Sequence, residues 1–166
     1  MRQTKRQKLI LTGKRPTRKM SRYGGGAGKR RETIDISATI DISAIVPTFL
    51  HMLNTVKLYH WNTTSFSTHK ATDELYKSLN EKIDHFVEVM LGKREMGGRA
   101  KLLNVPMIKL TTYSKNEAFI KQVEHYKAFL MDLSKFDPVK HADLLAIRDE
   151  ILADFNQFLY LLTLGA

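Results

Sequence analysis

Beyond Ala44, apolar residues return every three or four positions through four long stretches, and that period belongs to helices with one buried face. Phe49, Met52, Leu53, Val56 and His60 mark a first helix over about 44–62. Pro47 sits in its opening turn, where a missing N–H leaves no bond unmade. A second helix spans about 66–91, with Leu75, Leu79, Phe86 and Met90 on one stripe. Gly92, Gly97, Gly98 and Pro106 break the period, so 92–114 is expected to be a loop with room for a short helix. Ser114 followed by Glu117 reads as a capping box opening a third helix, to about 136. Its apolar face is Phe119, Val123, Tyr126, Leu130 and Leu133. Asp137 and Pro138 lead into a fourth helix over about 141–164, with Leu145, Ile151, Phe155, Phe158 and Leu162. Four long helices with short first and last links predict an all-α fold, an antiparallel four-helix bundle.

Charge divides the chain. Residues 1–31 carry 12 of the 27 Lys and Arg and none of the 17 acids, while the remainder is close to neutral within a total of +10. The expected organisation is a basic arm over 1–31, a short segment over 32–44 and the bundle over 45–166. The arm has few apolar residues and a glycine-rich linker over 24–28. Ordering it alone would not recover the entropy lost, so a flexible arm is expected. Arg2, Lys5, Arg6, Lys8, Lys14, Arg15, Arg18, Lys19, Arg22, Lys29, Arg30 and Arg31 are candidate nucleic-acid-binding residues. Clustered cations of this kind neutralise phosphates of DNA or another polyanion and release counterions without reading sequence. A nuclear or organelle address, or a solubilising tail, would use the same charges. Between arm and bundle the hexapeptide TIDISA occurs twice, at 33–38 and 39–44. Its isoleucines at 34, 36, 40 and 42 alternate with polar residues as in an extended segment, one that could lie along a neighbouring subunit; a slippage duplication with no specific role accounts for the repeat equally well.

There is no cysteine, which removes disulfides, thiolate zinc sites and thiol catalysis. The longest apolar run, FLYLLTL near the C-terminus, falls well short of a bilayer span. No charged start followed by an apolar run marks a secretory signal. The expectation is an intracellular protein without membrane contact, cytoplasmic or DNA-associated (nucleoid, nucleus or a packaged particle). No nuclease, kinase or hydrolase constellation is evident.

The second helix has an unusual polar face. At about 100° per residue, with His69 at zero, Asp73 falls near 40°, Asp84 near 60° and Glu88 near 100°. The apolar stripe lies near 240–300° on the same scale. One imidazole and three carboxylates therefore share a strip away from the core, and His60, followed by Trp61, closes the first helix. Nitrogen and oxygen donors of this kind suit iron, manganese or zinc, and a carboxylate-rich set favours iron cycling between Fe(II) and Fe(III). An ordinary solvated helix face would carry the same residues. The paired Glu-x-x-His signature of single-chain di-iron bundles is absent, since Glu81 and His85, and Glu124 and His125, have the wrong spacing. His51, His125 and His141 show no partner and read as surface or packing histidines.

The run LNTVKLYHWNTTSFSTHKATDELYKSLNEKIDHFVEVMLGK resembles the signature of the Dps family, the DNA-protecting mini-ferritins. In that family a His-Trp-Asn ends the first helix, a His and an Asp four apart open the second, and an Asp and a Glu four apart follow eleven residues later. Here these are His60-Trp61-Asn62, His69 and Asp73, then Asp84 and Glu88. GKREMGG after the second helix and DLLAIRDEILADFNQFLYLLTL at the end are also similar, so the resemblance covers about 45–164 and is weak between 95 and 140. It implies a ferritin-like bundle assembled as a homo-oligomer, a dodecamer in the family. It implies an iron site, di-iron or mononuclear, shared between subunits: His60, His69 and Asp73 from one chain, Asp84 and Glu88 from a two-fold partner. It further implies oxidation of Fe(II) by peroxide or oxygen, storage of ferric mineral, and for Trp61 a place to take up oxidising equivalents. Packing the end of the first helix is the other role open to Trp61. The chain departs from the family in a shorter gap between His60 and His69, nine residues, and in a shorter link between the second and third helices.

Two functions are thus in view. The first is a Dps-like ferroxidase and iron store whose arm binds DNA. The alternative is a non-catalytic structural or nucleic-acid-packaging protein, a component of a larger particle for instance, that uses the bundle as an oligomerisation scaffold.

Overall fold

The structure, a computed structural model, describes residues 40–164. The basic arm, with every candidate nucleic-acid ligand from Arg2 to Arg31, and the first TIDISA copy lie outside the described residues. The α-helices of the described residues are α1 (Ile45–Asn62), α2 (Phe66–Gly92), α3 (Gly98–Leu102), α4 (Asn116–Asp132) and α5 (Ala142–Thr163), and these residues contain no strand. Short 3-10 turns at Ile42–Ala44 and Arg94–Met96 precede α1 and α3, and a third, Leu133–Lys135, extends α4.

The apolar faces meet in one interior, and the result is a helical bundle. α2 lies against both α1 and α5, and α4 lies against α5. Phe49, Met52 and Val56 of α1, Leu79, Phe86 and Met90 of α2, Phe119, Val123 and Leu130 of α4, and Ile151 and Phe155 of α5 are fully buried. Burial of a large apolar side chain contributes about 1.5–3 kcal/mol, so these faces hold the helices together. α4 also reaches α1 through aromatic side chains: Tyr59 stacks on Phe119 at 3.8 Å between ring centres, and Phe129 meets Phe49 edge-on at 6.0 Å. Between α2 and α5, Asp154 accepts from Ser78 Oγ at 2.6 Å and from Lys82 Nζ at 2.7 Å.

Local chemistry corrects four sequence expectations. The second TIDISA copy is not extended where it is described: Asp41 accepts from Ser43 N–H at 3.0 Å and winds Ile42–Ala44 into the turn that leads into α1. α4 starts at Asn116 behind Lys115, without the Ser114–Glu117 capping box, because Lys115 holds an extended backbone and no side chain caps the helix. On α5 the buried residue is Leu144, and Leu145 is only half-buried. His51 is not unpartnered: its Nδ1 and the Tyr126 hydroxyl share a hydrogen bond at 2.7 Å. By contrast His125 is exposed, and His141 is buried against Phe136. The loop after α2 does contain a short helix, α3, entered through Gly97 at φ 94°. A Cβ there would lie 2.6 Å from Lys101 Cδ, on a backbone that side chains disfavour.

Candidate metal site

The link between α1 and α2 is three residues long, and it brings the two candidate histidines together despite the short gap between them. Ser65 caps α2 by accepting from Thr68 N–H at 3.3 Å, and His69 N–H donates to Ser65 O at 2.9 Å. His60 sits in the last turn of α1 and is buried. The two imidazoles stack at 3.9 Å between centres, 25° from parallel. Each ring then bonds the other residue's backbone. His60 Nδ1–H donates to His69 O at 3.1 Å and to Thr72 Oγ1 at 3.2 Å, and His69 Nδ1–H donates to His60 O at 3.1 Å.

A carbonyl oxygen can only accept, so Nδ1 carries the proton in both rings. The lone pair is left on each Nε2, the tautomer in which imidazole ligates a metal, and the backbone bond at Nδ1 fixes the ring's orientation. Thr72 Oγ1 is itself held by donating to Thr68 O at 2.8 Å.

Asp73 stands one turn further along α2. Lys77 Nζ donates to it at 2.7 Å, and this bond, with the charges of Lys77 and Lys57, holds its carboxyl below the ordinary 3.8. Lys57 lies over the rings of Tyr76 at 4.5 Å and Trp61 at 5.5 Å. Trp61 is 68 % exposed, so it does not pack the end of α1. Asp84 and Glu88 are exposed on the far half of α2. Fifteen residues of helix separate His69 from Asp84, about 22 Å along the axis. One chain therefore brings His60 and His69 together, with Asp73 one turn beyond His69 on α2, and leaves Asp84 and Glu88 far away. Among the described residues no three His, Asp or Glu side chains converge on a metal position.

Thr72, Lys57 and Lys77 are the neighbours that the sequence pattern did not single out. Lys77 had a signal, since Asp and Lys four apart on a helix are side by side. Thr72 had none, because its role depends on how α1 crosses α2.

Among known proteins, a family described as "Family of unknown function (DUF5856)" matches residues 60–162. No curated protein and no solved structure matches the chain.

Proposed function

The chain belongs to the DUF5856 family, and we propose that it is a Dps-like ferroxidase and iron store whose oxidation site forms between two copies. In this reading the bundle is an antiparallel four-helix, ferritin-like one, and the basic arm binds DNA. The observation that carries the reading is the stacked His60–His69 pair, oriented by backbone carbonyls with both Nε2 lone pairs available. An exposed helix face chosen by chance has no reason to fix two imidazoles in the ligating tautomer.

The other half of the site comes from the symmetry of α2. His69 and Asp73 stand as far before the midpoint between Ser78 and Leu79 as Glu88 and Asp84 stand after it. A two-fold axis crossing α2 there lays two copies of the helix antiparallel, with His69 opposite Glu88 and Asp73 opposite Asp84. The half-buried Tyr76, Val87 and Leu91 lie on the same side of α2 and supply apolar contact. Two imidazoles and three carboxylates then face one another at each end of the pair. The carboxylates repel unless a cation lies between them, and their summed charge favours Fe(III) over Fe(II).

Fe(II) is the substrate. Each ion gives up one electron, and a peroxide takes two electrons and two protons to leave two waters. Oxygen can serve as oxidant in the same way with twice the electrons. Trp61, exposed beside His60, can supply an electron when iron is short. The arm's cations, Arg2 to Arg31, bind DNA by counterion release, and many arms on one shell bind by avidity. A homo-oligomer, a dodecamer by resemblance, and an intracellular, DNA-associated location complete the proposal. Among the described residues no helix is long and apolar enough to cross a membrane.

Anaerobic addition of Fe(II) to assembled protein, followed by peroxide, tests the reading through ferric absorbance. Rapid oxidation that Asp84→Ala reduces at least about ten-fold with assembly intact is the expected result. Oxidation no faster than in buffer would leave the scaffold reading in its place.

A further inference from the structure

Thr72 follows His69 by three residues on α2, and it is wholly buried. Its hydroxyl lies 2.8 Å from Thr68 O, 3.0 Å from His69 O and 3.2 Å from His60 Nδ1. A hydroxyl has one proton to donate and two lone pairs to accept with. Both carbonyls can only accept, so the proton points to them and a lone pair faces the His60 ring. His60 Nδ1–H therefore has two acceptors, His69 O and Thr72 Oγ1. His69 differs: it is exposed, and among the described residues its Nδ1–H donates to His60 O alone. A helix threonine that donates to the carbonyl four residues back needs no other partner. What goes beyond that habit is the contact to His60, which crosses from α2 to α1 between buried residues: Thr72, Thr68 and His60.

We propose that Thr72 is a positioning residue of the metal site, whose hydroxyl keeps the His60 proton on Nδ1 and the His60 ring in one orientation. In this role, which rests on the ferroxidase reading of the histidine pair, the two imidazoles have unequal parts. His60, buried and held by two acceptors, is the fixed ligand. His69, exposed and held by one, is free to adjust as a cation arrives. A neutral imidazole can carry its proton on either nitrogen. Moving the His60 proton to Nε2 would leave Nδ1 as an acceptor against His69 O, which has no proton to offer. Thr72 could offer its own only by turning away from Thr68 O and His69 O. The ligating tautomer is thus the one that satisfies every polar neighbour of Thr72. A partner on the far nitrogen of a ligating histidine orients the ring, and its loss costs about 10–100-fold in metal affinity. His69 O stays with His60 when Thr72 is changed, so the lower end of that range applies.

Valine keeps the shape of threonine without its hydroxyl, and serine keeps the hydroxyl without the methyl group. In the full chain, assembled and metal-free, solid-state 15N NMR of the imidazoles reads each tautomer, and titration with Co(II) alone then reads affinity. Thr72→Val should move the His60 ratio about five-fold from Nδ1–H towards Nε2–H and leave that of His69 unchanged. It should also weaken Co(II) binding about ten-fold. Thr72→Ser should keep both properties near those of the wild type. A His60 tautomer or a Co(II) affinity unchanged in Thr72→Val would overturn the proposal. Equal shifts at His60 and His69, the mark of a general loosening, would overturn it too, as would a serine variant no better than the valine one. A wild type that binds no Co(II) would instead overturn the ferroxidase reading, and the role of Thr72 with it.

Discussion

His60 and His69 show how much one tautomer decides. Each ring is tied at Nδ1 to a carbonyl of the opposite helix end, so the same two bonds close the α1–α2 link and expose two Nε2 lone pairs. The residues differ in burial, and their substitutions should differ accordingly. His60→Ala removes a buried ring with two acceptors and should cost about 1–3 kcal/mol, which lowers the melting temperature by several degrees. His69→Ala, at an exposed position, should cost less than about 1 kcal/mol and still abolish rapid Fe(II) oxidation. Thermal melts beside oxidation rates separate the two. Tyr126 offers a second test at this scale. Burial pushes its phenol up to about 12 from the ordinary 10.0. Between those values the unfolded chain has released the proton that the folded chain keeps. Stability is therefore complete below pH 10 and falls as pH rises through that window. Tyr126→Phe should flatten this alkaline loss in urea titrations, while leaving His51 Nδ1 without its partner. The quartet on α2 was legible in the sequence because helical spacing alone sets it. The His51–Tyr126 bond was not, since it joins residues 75 positions apart through a crossing angle that no local pattern encodes.

The elements follow their apolar periods closely, because a stripe such as Leu75, Leu79, Phe86 and Met90 can be buried only by a helix. Their ends are set by less regular chemistry. The Ser114–Glu117 pattern has the form of a capping box, yet α4 opens two residues after Ser114. There Tyr59 O–H donates to the Asn116 side chain and pins the helix start to α1. Ser114→Ala should therefore change stability by less than about 0.5 kcal/mol, whereas Asn116→Ala, which strands the buried Tyr59 hydroxyl, should cost about 1–2 kcal/mol. Denaturant midpoints for the pair decide the matter, and equal effects would mean that the box forms after all. The described part of the second TIDISA copy departs from the expected extended form for a related reason: Asp41 accepts from the backbone two residues on and turns the chain.

For the whole molecule, the separation of charge into a strongly basic arm and a nearly neutral remainder is visible in the sequence, and so is an all-helical body. What one chain cannot display is a site split between two. In the proposed reading its halves lie about 22 Å apart on α2, and their meeting would require a two-fold axis through the middle of that helix. The most direct test mixes two inactive variants, His69→Ala and Asp84→Ala, unfolds and reassembles them together, and measures Fe(II) oxidation with peroxide. In a mixed pair one end gathers both defects and the other gathers none. Random reassembly should therefore restore about a quarter of the wild-type rate from two preparations that each have almost none. A mixture as inactive as its components, at wild-type assembly size, would contradict the shared site.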